Sequence, residues 1–132
     1  MTLTRLEKWE KKLDGILDEL DDLLEDKFGN KYKLHPVRPA RGETSNSSMD
    51  GLFDLSASFS LGLGSELGRG YVLKIKIVTL EEVSEEIQQM VETIALKEIS
   101  RKLPIVFPDR KLDISYDGHI IKIFGDLNLD SD

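Results

Sequence analysis

From Phe53 to Leu63 every second residue is apolar: Phe53, Leu55, Ala57, Phe59, Leu61 and Leu63 alternate with Asp54, Ser56, Ser58, Ser60 and Gly62. A period of two over this length is the mark of a strand with one buried and one wet face. A glycine-dense segment follows, Gly62-Leu-Gly64-Ser-Glu-Leu-Gly68-Arg-Gly70. Then Tyr71, Leu73, Ile75 and Ile77 alternate with Val72, Lys74, Lys76 and Val78. Two such runs joined by a glycine turn predict an antiparallel hairpin whose outer face carries serines and lysines. A lone hairpin with one apolar face is marginal in water, so the flanking segments must cover it.

The segment before it supplies one cover. Residues 3–28 read as a single helix in which Leu6, Leu13 and Leu20 recur every seven residues, as do Trp9, Ile16 and Leu23, with Leu17 and Leu24 widening the stripe. The pattern is that of a helix facing a core. Its charges run against the helix dipole. Arg5, Lys8, Lys11 and Lys12 lie toward the start, and Asp18, Glu19, Asp21, Asp22, Glu25 and Asp26 toward the end. Two copies packed antiparallel would set basic halves against acidic halves, so the sequence predicts a homodimer through this helix.

A second helix follows the hairpin. Thr79-Leu-Glu-Glu82 matches a capping box, Val83, Ile87, Met90, Val91 and Ile94 form an inward face, and Pro104 marks the end. Leu96, Ile99 and Leu103 carry the apolar surface around the helix toward its end. The chain then offers a second hairpin about Asp117-Gly118. Taking those two as the turn sets Tyr116 against His119, Ile114 against Ile121 and Leu112 against Ile123, with Asp113 opposite Lys122. Residues 29–50 are loop-rich, with Pro36 and Pro39 biasing a short edge strand around 31–37. The acidic tail 125–132 is expected to fray.

These pieces fit one α+β domain over residues 1–132. It should hold a four- or five-stranded, mainly antiparallel sheet with two helices on one face, in the order helix, hairpin, helix, hairpin.

Charge and composition narrow the function. The net charge of −7 is uneven: −4 over residues 1–28, +3 over 29–80 and −6 over 81–132. An acidic total argues against general nucleic-acid binding, which draws most of its affinity from clustered Lys and Arg. The chain has no cysteine, which removes disulfides, thiolate metal sites and cysteine nucleophiles. No apolar run is long enough to span a bilayer and the charged start is unlike a signal peptide, so a cytoplasmic location is expected.

Catalytic patterns are missing. His35 and His119 belong to no metal-binding spacing, no Gly-x-Ser-x-Gly elbow exists, and nothing selects a metal site among the carboxylates. No motif calls for a cofactor. The glycine segment departs from the dinucleotide fingerprint in spacing and is followed by a strand instead of a helix, and no phosphate-binding loop is present. What remains is a basic stretch, Lys31, Lys33, Arg38 and Arg41 with His35, and the arginine of the glycine turn. Arg38, Arg41 and Arg69, with Gly64, Ser65 and Gly68 offering amides and a hydroxyl, are the candidate ligand-binding residues for a small anion such as a phosphate ester, nucleotide or carboxylate. The competing reading sets the basic stretch against the acidic stripe of Asp14, Asp18, Asp21 and Glu25.

The sequence thus predicts a non-enzymatic interaction or oligomerisation module, with a homo-oligomer or protein partner. The alternative is a binder of a small anionic ligand, and no membrane association is expected. Converging arginines would favour the ligand reading.

Overall fold

The computed structural model describes residues 4–46 and 49–127. Helix α1 runs Arg5–Phe28, strand β1 Phe53–Ser60, strand β2 Gly70–Ile77, helix α2 Glu85–Val106, strand β3 Leu112–Asp117 and strand β4 Ile120–Gly125. The strands form one antiparallel sheet in the order β1-β2-β4-β3, with both helices on its apolar face. The expected α+β architecture is the one found. Residues 128–132, most of the tail expected to fray, lie outside the described residues.

Helix α1 begins at Thr4, whose hydroxyl accepts from the Glu7 amide at 3.1 Å and so satisfies one of the free donors of the first turn. The predicted stripe faces inward: Trp9, Leu13, Ile16, Leu17, Leu20 and Leu24 are all buried, while Leu6 is half exposed. Each buried side chain of this size stabilises the fold by roughly 1.5–3 kcal/mol. The apolar stripe of α1 is therefore taken up by the chain's own core. Trp9 ties three elements together. Its ring stacks on Tyr71 of β2 at 4.6 Å and on Phe107, just past α2, at 5.1 Å.

Helix α2 differs from expectation at both ends. It is capped by Ser84, whose hydroxyl accepts from Ile87 N at 3.3 Å. Thr79 instead accepts from Glu81 N at 3.1 Å within a turn, so the supposed capping box closes a bend five residues too early. Pro104 does not end the helix, which continues to Val106. A proline costs its own amide bond and crowds the turn behind it. Here the loss falls in the last turn, where the Phe107 amide still reaches Leu103 O at 2.8 Å and the buried Phe107 ring anchors the end. The inward face is Val91, Ala95, Ile99 and Leu103, one residue every four, and Met90 is exposed.

The second hairpin is shifted from the expected register. Its turn is Gly118-His119, so Asp117 pairs with Ile120, Ile114 with Ile123, and Ser115 with Lys122, while Asp113 stands opposite Phe124. Gly118, at φ +67°, fits the first turn position, where a left-handed backbone is needed. The slip is of two residues, so the same side chains face the core; only their partners change. No strand forms at 31–37. His35 N donates to Val78 O at 3.0 Å as an isolated bond, and Pro36 has no amide with which to continue a ladder.

Candidate functional site

The candidate residues fall into two groups at opposite ends of the β1–β2 hairpin. Arg38 and Arg41 lie beside the start of β1, whereas Gly64, Ser65, Gly68 and Arg69 lie in the connection beyond its end. An eight-residue strand separates them, roughly 25 Å at the usual rise per residue.

In the first group Arg38 works on the backbone. Its Nε donates to Gly51 O at 3.1 Å, and its Nη2 donates to Asp50 O at 3.1 Å and Phe53 O at 3.0 Å. Arg41 faces the acidic stripe. Its Nη1 donates to Asp21 Oδ1 at 2.7 Å and lies 3.4 Å from Asp50 Oδ1, and its Nη2 bonds Asp22. Asp50 is buried, yet the Thr44 amide and hydroxyl together with Arg41 outweigh that burial and hold its carboxyl below the usual range. Asp21 goes the other way: burial outweighs Arg41 and pushes it up to about 7. Glu25 Oε1 accepts from Phe53 N at 2.9 Å and so aligns the start of β1. Among the described residues no group of three acidic, His or Cys side chains is placed to hold a metal.

In the second group the Ser65 and Gly68 amides and the Ser65 hydroxyl already have partners. Ser65 Oγ bonds Gly62 O at 2.8 Å and accepts from Gly68 N at 3.1 Å. The amides of Glu66 and Leu67 point to the Asp117 carboxylate at 3.4 Å. Lys122 completes the arrangement. Strand alternation places it on the sheet face away from the helices, yet it is 1% exposed because residues 61–69 fold over it. Its Nζ donates to Ser65 Oγ at 3.0 Å, Gly68 O at 2.7 Å and Asp117 Oδ2 at 2.8 Å. The anion held by this turn is the protein's own Asp117.

Arg69 stands apart. It lines a pocket of about 320 Å³ whose walls are the rings of Trp9, Phe59 and Tyr71, with Leu6 and Leu127, and Glu10 completes the lining. Burial, with Glu10 as the next cause through charge and a hydrogen bond, raises the Tyr71 hydroxyl above its ordinary value. Nothing in the linear pattern beyond the single tryptophan marks this pocket, because its walls come from four separated segments.

A last feature is the free edge of β1. Val78 N donates to Leu52 O at 2.7 Å, which fixes the phase of the β1–β2 ladder. Asp54, Ser56, Ser58 and Ser60 point their backbone groups at β2, and Phe53, Leu55, Ala57 and Phe59 point theirs outward. The outward groups of Phe53 are taken by Glu25 and Arg38. Among the described residues those of Leu55, Ala57 and Phe59 have no partner. This edge lies in the longest uncharged stretch of the chain, Leu55 to Ser65, a signal visible in the sequence.

Comparison with known proteins places this α+β chain in a family. A family model described as "Uncharacterised protein" matches residues 4–125, and the chain belongs to that family. It is similar to an "Uncharacterized protein" of Borreliella burgdorferi (strain ATCC 35210 / DSM 4680 / CIP 102532 / B31), with 38% identity over 125 residues, covering 95% of this chain and 98% of the relative. No solved structure matches. Among the described residues no helix is long and apolar enough to cross a membrane.

Proposed function

We propose that this protein is a homo-oligomerisation module whose two-fold contact is made by the free edge of β1. The observation that carries the reading is the row of backbone groups at Leu55, Ala57 and Phe59, unpartnered among the described residues, in a stretch from Leu55 to Phe59 without a charge or a proline. Sheet proteins ordinarily guard such an edge, since it is a template for another strand.

The edge is self-complementary. An antiparallel pairing about a two-fold axis at Ala57 sets Ala57 against its copy and Leu55 against Phe59 of the partner subunit. Three narrow pairs of this kind exchange about six hydrogen bonds. Phe59, which is 50% exposed, then lies beside Leu55 of the partner subunit. Ser56 meets Ser58 of the partner subunit on the outer face, so no like charges oppose each other. The pairing stops at Phe53, where Glu25 and Arg38 already hold the outward groups.

The test is the solution mass, by light scattering or sedimentation, against a chain mass of 15.0 kDa. The expectation is a dimer at about 100 µM that a Ser56→Lys/Ser58→Lys variant converts to a monomer by opposing lysines across the axis. Both serines are exposed, so the fold should survive. Ser56→Lys combined with Ser58→Glu should restore the dimer. A monomeric wild type, or a dimer that ignores the lysines, overturns the reading.

A further inference from the structure

The aromatic pocket beside Arg69 carries an inference of its own. Its walls are apolar: Trp9, Phe59 and Tyr71 contribute rings, and Leu6 and Leu127 contribute aliphatic surface. Its polar lining consists of two groups of opposite charge, Glu10 on α1 and Arg69 ahead of β2. Among the described residues these two form no ion pair with each other, although both line the same cavity. Trp9 is held in place by stacking on Tyr71 and Phe107, and Phe59 meets Tyr71 edge-on at 5.6 Å, so the aromatic wall is prearranged.

The charges decide the ligand class. A simple anion would be attracted by Arg69 and repelled by Glu10, each charge offsetting part of the other. A simple cation meets the reverse. A molecule carrying both charges gains from both groups, and its apolar body gains from displacing water off the rings. The volume of about 320 Å³ is at the small end of ligand pockets, which run from about 300 to 1,000 Å³, and so suits one small molecule.

We propose that this pocket binds a small apolar zwitterion, of the class of a free hydrophobic or aromatic amino acid, with its carboxylate on Arg69 and its ammonium on Glu10. The guanidinium offers a planar fork that matches a carboxylate. Glu10 lines the pocket beside Tyr71, so its carboxylate sits against the aromatic wall where the ammonium would lie. This site shares Phe59 with the proposed dimer contact, but its two charged groups, Glu10 and Arg69, lie outside the β1 edge.

Trp9 is the chain's sole tryptophan, so its fluorescence reports on the pocket directly. The experiment titrates the protein with L-leucine and L-phenylalanine up to about 10 mM, about tenfold above a weak dissociation constant of about 1 mM. 4-Methylpentanoate and 3-phenylpropionate, which lack the ammonium, and isoamylamine and phenethylamine, which lack the carboxylate, serve as controls. The expected result is a saturable change with at least one amino acid, and affinity about tenfold or more weaker for its two controls. Arg69→Ala and Glu10→Gln should each weaken amino-acid binding by about tenfold or more, with unchanged thermal melting showing that the fold is kept. Two outcomes overturn the proposal: no saturable change with either amino acid, or a carboxylate or amine control that binds as well as its parent amino acid.

Discussion

Lys122 Nζ lies 2.8 Å from Asp117 Oδ2 on the sheet face turned away from the helices, and the two side chains are only 1% and 6% exposed. The β3–β4 hairpin brings the pair together, and the glycine-rich connection of the first hairpin covers it. The Lys122 hydrogen bond is the main reason the Asp117 carboxyl is held below its usual range. The ionised pair in turn satisfies the Glu66 and Leu67 amides and the Gly68 carbonyl. The connection between β1 and β2 is thereby fixed by two residues some fifty positions further along the chain.

Removing the ammonium should release that connection. Lys122→Ala leaves Asp117 and the Gly68 carbonyl without their buried donor, and stranding one member of a buried pair is among the costlier changes a core can suffer. The expected outcome is a melting temperature lower by roughly ten degrees. Amide exchange at Glu66 and Leu67 should accelerate more than in β2 itself. Unchanged protection of those two amides would show that residues 61–69 hold their shape without Lys122.

Much of this architecture was legible because it depends on periodicity. The alternation of Phe53 to Ile77 and the stripe from Trp9 to Leu24 each record one buried face, and burial is what the fold preserves. Placement of ends and partners depends on contacts a linear pattern does not carry. Asp117-Gly118 is a sound turn signal, yet the turn closes on Gly118-His119. Both registers keep Ile114, Ile121 and Ile123 on the core face, and the register found also lets Lys122 reach Asp117. Composition groups Arg38, Arg41 and Arg69, whereas an intervening strand separates the first two from the third. The pocket was hidden because Trp9, Phe59 and Arg69 are neighbours only after folding.

The start of α2 gives a direct test of capping. Ser84→Ala removes the acceptor for the Ile87 amide and should cost about 1 kcal/mol, whereas Thr79→Ala removes one exposed turn contact and should stay within about 0.5 kcal/mol. Denaturant unfolding of the two variants separates them. Equal losses would mean that the helix draws on both hydroxyls.

Two glycines should respond oppositely to the same methyl group. Gly15 lies on the exposed face of α1 with no atom within 4 Å of an added Cβ, so Gly15→Ala should stabilise by about 0.5–1 kcal/mol through helix propensity. At Gly70 an added Cβ would collide with Ile123 O and lie 2.7 Å from Lys122 Cγ. Gly70→Ala should therefore destabilise by about 1–3 kcal/mol, because the backbone of β4 cannot give way without disturbing the ladder. Chemical denaturation of both variants checks the signs, and a neutral Gly70→Ala would mean that the two strands can part at little cost.

Asp21 makes stability depend on pH in an unusual direction. Burial is the main reason its folded-state value lies at about 7, against an ordinary value of 3.8, with Arg41 offsetting only part of it. Between about pH 4 and 7 the folded chain therefore holds a proton that the unfolded chain has released, and stability contributed by this group falls as the pH rises. Asp50, whose value is lowered, acts in the opposite sense and loses its contribution as the pH falls through its folded value. Asp21→Asn keeps a carbonyl oxygen for Arg41 but cannot ionise. Relative to wild type it should gain stability from pH 5 to about pH 7 and level off above that, by up to a few kcal/mol in all. Taking the difference between the two unfolding curves cancels Asp50 and every other group they share. Parallel curves across that range would show that Asp21 is already ionised at pH 5 and that Arg41, not burial, controls it.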